Sequence, residues 1–165
     1  MRLGFHELSD LLAYEPETGV VTWKKTRRGN PAGRPAGTID SDGYLRLRTR
    51  GHAYAIHRIA WMLTHGMEIP AGMQIDHING DRRDNRAVNL RLATPDENRL
   101  NSGPRPANRS GFKGVSHHKT SGLWRAQITV NKTRHSLGYF KTPEEAHSAY
   151  CVAAAMLHGA FARTR

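Results

Sequence analysis

A chain of 165 residues has room for one medium domain or two small ones, and no apolar run reaches the about 18 residues that a membrane-spanning helix needs. Lys and Arg number 25 against 14 Asp and Glu, a net charge of +11 that draws polyanions, the phosphate backbone of nucleic acid foremost. The single cysteine, Cys151, excludes an internal disulfide and a multi-cysteine zinc knuckle, fits a reducing cytosol, and reads as a small buried hydrophobe.

In chain order, Phe5, Leu8, Leu11 and Leu12 follow helical spacing, and no basic-then-apolar leader stands there, so secretion is not expected. Glu17-Thr18-Gly19 and Asp42-Gly43 read as turns, Val20 to Trp23 and Tyr44 to Arg48 as strands. Tyr44, Arg46 and Arg48 alternate with Leu45 and Leu47 and put a basic edge on one face. A helix is expected over 57–65, with Ile59, Ala60, Met62 and Leu63 as apolar members. Its His57 is expected to buttress a site or touch a phosphate rather than bind metal.

Met73 to His77 alternates apolar and polar residues and reads as a short strand, as does Asn89 to Leu92. Ile78-Asn79-Gly80-Asp81 between them supplies turn chemistry, and the polar run from Arg82 to Arg86 has no period that would bury it. Thr94 is a helix N-cap, Pro95 suits the first helical position and Glu97 closes a capping box, which sets Asn98 in the first turns of a helix. A strand, loop, strand, helix unit can turn that helix start back toward Asp76. A hard divalent cation takes oxygen ligands, keeps most of its waters and needs one or two protein groups, which Asp76 and the Asn98 amide would supply. The water that attacks a phosphodiester must lose a proton near neutral pH, the task suited to His77.

The pattern His57-Arg58, Asp76-His77-Ile78-Asn79-Gly80, Asp84-Asn85, Asn89-Leu90-Arg91 and Glu97-Asn98 resembles the HNH endonucleases of the homing and phage type, over roughly half the chain. The resemblance implies a ββα-metal fold with His77 as general base and Asp76 and Asn98 as metal ligands. It also implies that Asn89 holds the loop and orients His77. Asn98 stands where the bacterial-toxin type has histidine, which favours Mg2+ or Mn2+ over Zn2+. The setting implied is the cytoplasm of a bacterial or phage-infected host cell.

Charge and composition change beyond that unit. Residues 1–101 carry 15 basic against 12 acidic side chains, while residues 102–165 carry ten against two. Ser102 to Ser110 reads as a linker stiffened by two prolines. Phe112 to Ser116, Trp124 to Val130 and Arg134 to Phe140 read as three strands, and Thr142-Pro143-Glu144-Glu145 launches a helix whose apolar side includes Ala146, Ala149, Tyr150, Ala153 and Leu157, ended by Gly159. Trp124, Ala126 and Ile128 face that helix, leaving Arg125, Gln127 and Thr129 on a face that can lie in the major groove, where Arg pairs with guanine and Gln with adenine. Lys113-Gly114-Val115, Trp124 to Ile128, Leu137-Gly138-Tyr139-Phe140 and Glu144-Glu145-Ala146 to Tyr150 resemble the plant ethylene-response-factor (apetala-two) DNA-binding domain over about a third of the chain. That resemblance implies DNA contacts at Lys113, Ser116, His118, Gln127, Thr129, Arg134 and Ser136.

The expected architecture is α+β: an HNH nuclease domain over 1–101, a linker over 102–110, and over 111–165 a small three-stranded antiparallel sheet packed on one helix. The expected activity is metal-dependent hydrolysis of double-stranded DNA, with no membrane role, by a monomer or weak dimer, as a site-directed homing or phage nicking enzyme. The alternative is a non-catalytic, sequence-specific DNA-binding regulator that keeps the nuclease fold.

Overall fold

A computed structural model describes residues 2–26, 29–104 and 107–163. Arg105 and Pro106, inside the expected linker, lie outside the described residues. The fold is mixed α+β with small antiparallel sheets, and packing divides the chain into two compact units, Met1–Pro95 and Asp96–Arg165. The expected linker therefore falls inside the second unit.

The first unit opens with helix α1 (Phe5–Leu11), whose Glu7 carboxylate accepts the Gly4 N–H at 3.0 Å and closes the first turn. Strands β1 (Leu12–Glu15) and β2 (Val20–Trp23) pair antiparallel through a turn at Gly19. Strands β3 (Thr38–Ile39), β4 (Leu45–Thr49) and β5 (His52–Ala55) form a three-stranded sheet. Helix α2 (Ile56–His65) follows without a break, its apolar face Ile56, Ile59, Ala60 and Met62 set by the period of 3.6. Ile59 and Ala60 have no solvent exposure, and burying a side chain such as Ile59 contributes about 1.5–3 kcal/mol. Leu8, Leu12, Val21 and Trp23 join the same core, which extends to Ile75 and Leu90. Those two belong to the hairpin of β6 (Gln74–His77) and β7 (Leu90–Ala93), in which Asp76 stands opposite Arg91 and His77 opposite Leu90.

In the second unit, α3 (Pro95–Leu100) precedes the antiparallel sheet of β8 (Val115–His118), β9 (Leu123–Val130) and β10 (Thr133–Phe140), with β9 in the centre. Helix α4 (Pro143–His158) packs on one side, launched by a capping box in which the Glu145 N–H donates to Thr142 Oγ1 at 3.2 Å. Two expectations change here. The first strand begins at Val115 rather than Phe112, because Phe112, Lys113 and Gly114 form a turn closed by the Val115 N–H on the Phe112 carbonyl at 3.3 Å. Gly114 has φ +76, and a Cβ there would lie 2.2 Å from the Tyr150 ring and 2.7 Å from the Gln127 carbonyl, so only glycine fits. On α4 the buried residues are Ala146, Tyr150 and Ala154, whereas Leu157, on the same face but in the last turn, is 53% exposed.

Candidate active site and nucleic-acid interface

His77 ends β6 with 5% of its surface exposed, and Asp76 beside it is equally buried. Alternation along β6 gives the two side chains different neighbours. Asp76 meets Arg91 across the hairpin: Nε and Nη2 of the guanidinium donate to Oδ2 at 2.8 and 2.7 Å. His77 turns to aromatic company, with the His57 ring edge-on at 5.0 Å and the Tyr44 ring at 6.1 Å between centroids.

Asn85 hydrogen-bonds the His77 ring. Its Oδ1 lies 3.2 Å from His77 Nε2, while its Nδ2 donates to the Arg83 carbonyl at 3.1 Å. With the Asn85 amide so oriented, Nε2 carries the ring proton and Nδ1 holds the lone pair. Burial pulls the His77 pKa below its ordinary value, against smaller opposing effects from Asn85 and from Asp76, Asp81 and Asp84. A neutral imidazole with a fixed tautomer is a base ready for use.

Asn85 is 1% exposed and held from three sides. The Tyr14 hydroxyl donates to its carbonyl at 2.8 Å. Gly19, at φ +77, lies so close that a Cβ there would sit 2.6 Å from the Arg86 nitrogen and 2.7 Å from the Asn85 carbonyl carbon. Asn89 braces the loop from within: Nδ2 donates to Asn79 Oδ1 at 3.0 Å and to the Asp84 carbonyl at 2.7 Å, and Oδ1 accepts the Asn79 N–H at 2.9 Å. Asn89 thus spends its amide on the loop, and the bond to His77 comes from Asn85. Asp84 is tied to Arg86 at 2.6 Å, and that hydrogen bond holds its carboxyl down at about 2.

His57 completes the setting. Burial chiefly, and the neighbouring His77, Arg58 and Arg46 charges, pull its pKa down to about 3, and its Nδ1 is buried without a hydrogen-bond partner. It is a neutral ring packed on His77.

Among the described residues no group of three or more His, Cys, Asp or Glu side chains could hold a metal ion. The donors assigned from the sequence are a carboxylate, Asp76, and an amide, Asn98, which is half-buried on α3. Oxygen donors so few in number fit a hard cation that completes its shell with water and phosphate.

In the second unit the outer face of the sheet carries a grid. Ser116 stands opposite Arg125, Gln127 opposite Ser136 and Thr129 opposite Arg134. Turned to satisfy both groups, the Gln127 amide oxygen accepts from the Arg125 guanidinium at 2.8 Å. His118 Nδ1 lies 2.9 Å from Ser121 Oγ, and its ring meets Tyr139 edge-on at 5.1 Å. Lys113 stands apart from this grid: its ammonium donates to the Leu100 carbonyl and, at 2.8 Å, to the Ser102 carbonyl.

Comparison with known proteins agrees with both halves. Residues 54–100 match the HNH endonuclease family model and residues 110–160 the AP2 domain model. Protein 3.8 of Escherichia phage T7 is 37% identical over 109 residues, covering 66% of this chain and 88% of that protein. An uncharacterized HNH endonuclease of Acanthamoeba polyphaga mimivirus is 31% identical over 107 residues, 65% of this chain and 54% of that one. The solved HNH homing endonuclease I-HmuI aligns with 96% of this chain and 86% of its own at a TM-score of 0.43 and 15% identity. The chain belongs to the HNH endonuclease family and carries an AP2-type domain behind its HNH region.

Proposed function

We propose that this protein is a metal-dependent endonuclease that hydrolyses phosphodiester bonds in double-stranded DNA, with its AP2-type module supplying site choice. The observation that carries the reading is the His77 ring, buried, neutral and fixed in one tautomer by Asn85, next in the chain to the buried Asp76.

His77 Nδ1 takes a proton from the attacking water as its oxygen bonds to phosphorus, and the bond to the 3′ oxygen breaks, that oxygen taking a proton from solvent, which leaves a 5′ phosphate and a 3′ hydroxyl. Asn85 keeps the proton on Nε2, Asn89 keeps Asn85 in reach by bracing the loop, and His57 fills the space behind the ring. Asp76, oriented by Arg91, and Asn98 are the proposed oxygen ligands of a divalent cation, Mg2+ with Mn2+ as substitute. When bound, such a cation stabilises charge on the phosphate and the departing 3′ oxygen. One base and two ligands amount to one active centre per chain, which supports single-strand cutting at each encounter, as a phage or homing nicking enzyme would do. On the sheet face Arg125 and Gln127 are suited to guanine and adenine edges, with Ser116, His118, Thr129, Arg134 and Ser136 around them.

Plasmid DNA incubated with the protein and Mg2+ tests this directly: nicked circles should form, and EDTA should stop them. Tight DNA binding with no cleavage in Mg2+ or Mn2+ would overturn the nuclease reading in favour of a DNA-binding regulator.

A further inference from the structure

Helix α3 belongs to two bodies at once. By sequence it closes the HNH match, which runs to Leu100, yet by packing it falls in the second unit, which begins at Asp96. Six residues are too few for a helix to hold itself, because nucleation is unfavourable and the last carbonyls have no intrahelical partner. Something else must fix its end.

The C-terminal end of α3 is met by two cations from the second unit. Lys113 Nζ donates to the carbonyls of Leu100 and Ser102, and Arg163 Nη1 donates to the Asn101 carbonyl at 3.3 Å. Asn101 is 5% exposed, and the Arg163 guanidinium lies against Gly103. Cations at a helix C-terminus complement its dipole and satisfy carbonyls that would otherwise stay unpaired. Lys113 is held in turn, since Gly114 is locked under the Tyr150 ring and α4. Burial, with the nearby Arg163 charge adding to it, pulls the Lys113 pKa down to about 8. A half-buried amine committed to two carbonyls is poorly placed to neutralise a phosphate.

We propose that Lys113 is a positioning residue of the nuclease reaction: it fastens the C-terminal end of α3, the helix that carries Asn98, to the AP2-type module. The consequence for cleavage rests on the reading of Asn98 as a metal ligand, while the fastening itself does not. The module then does more than bind DNA, because the frame that holds the duplex also fixes the orientation of a metal-ligating helix.

The test uses the full chain with Lys113→Met, which keeps the aliphatic stem, Lys113→Arg, which keeps a donor, and Arg163→Gln as a milder loosening of the same end. Hydrogen exchange of the segment 97–104, followed by mass spectrometry without metal, should speed up about tenfold in Lys113→Met, less in Arg163→Gln, and return toward wild type in Lys113→Arg. DNA affinity without metal should stay within about twofold with an unchanged salt slope, as expected when no phosphate contact is lost. Single-turnover cleavage at saturating DNA should fall about tenfold or more in Lys113→Met, with a higher Mg2+ midpoint, and recover in Lys113→Arg. Unchanged exchange at 97–104 in both Lys113→Met and Arg163→Gln overturns the proposal. So does a loss of affinity in Lys113→Met with a salt slope shallower by about one, the signature of a phosphate contact. If the wild-type protein cuts nothing, the nuclease reading falls, and exchange and affinity still decide the fastening.

Discussion

His57 makes acid stability a sharp test of the way the first unit is packed. Its pKa lies near 3 in the folded chain, where burial and then the His77, Arg58 and Arg46 charges disfavour the imidazolium, against an ordinary 6.5. The folded value is depressed, so the stability it contributes is fully present above 6.5. As pH falls below 6.5 the unfolded chain takes up a proton that the folded chain refuses, and stability drops at about 1.4 kcal/mol per pH unit until pH nears 3. Between pH 7 and pH 5 the loss from this one ring is about 2 kcal/mol, and with a urea slope of about 2 kcal/mol per molar the midpoint should move by about 1 M. His77, also depressed, adds to the fall in the same direction. Replacing His57 with phenylalanine preserves the ring and strands no hydrogen bond at Nδ1, which has no partner. His57→Phe should therefore lose about 2 kcal/mol less than wild type between the two pH values. Trp23 and Trp61, both buried in the first unit, report its unfolding by fluorescence. Equal losses in wild type and His57→Phe would refute the claim that this ring is buried neutral.

The remaining predictions concern cleavage and its supports. His77→Ala should slow single-turnover cleavage by about 10² to 10⁴ while leaving the DNA affinity measured without metal nearly intact. Asp76→Ala should raise the Mg2+ concentration needed for activity and, by removing the buried carboxylate to which the Arg91 guanidinium donates, lower stability by about 3 kcal/mol in urea unfolding. Gly19→Ala should cost about 2 kcal/mol or more and depress cleavage, because its Cβ would press on the Asn85–Arg86 backbone and displace the residue that sets the His77 tautomer. Gln127→Ala should change base preference at one or two positions of a selected site without a uniform loss of affinity, as read from binding to a randomised library.

How far the sequence could be read depends on the kind of signal each feature leaves. Helices α2 and α4 and the β6–β7 hairpin announce themselves through period, caps and turns, and the outer-face grid of Ser116, Arg125, Gln127 and Arg134 follows from strand alternation alone. Lys113 leaves a different trace. Its place before Gly114-Val115 marks it as a basic residue of a DNA-reading strand, but the glycine turn that no alternation rule covers swings it to the carbonyls after α3. Leu157 fails for another reason. Helical period does set it on the face of Ala146, Tyr150 and Ala154, but period fixes a face and not the depth of each turn, and in the last turn of α4 Leu157 stays exposed.

The two asparagines of the β6–β7 loop carry that argument into the chemistry. Asn89 stands out in sequence because it opens a strand, whereas Asn85 sits in an aperiodic run, and though it belongs to the HNH-like pattern its role becomes visible only when the loop folds back. A neutral imidazole has two tautomers, and the proposed mechanism uses only the one with its lone pair on Nδ1, so the loop has two separate tasks. It must hold its shape, which Asn89 does through three hydrogen bonds to Asn79 and Asp84, and it must hold one ring proton, which Asn85 does. Because Nδ2 of Asn85 is already committed to the Arg83 carbonyl, its amide cannot turn over and offer a donor to Nε2 without losing that bond. The tautomer of His77 is thereby fixed by a backbone carbonyl two residues from Asn85, and any change that moves Arg83 or frees Asn85 should reach the base without touching it.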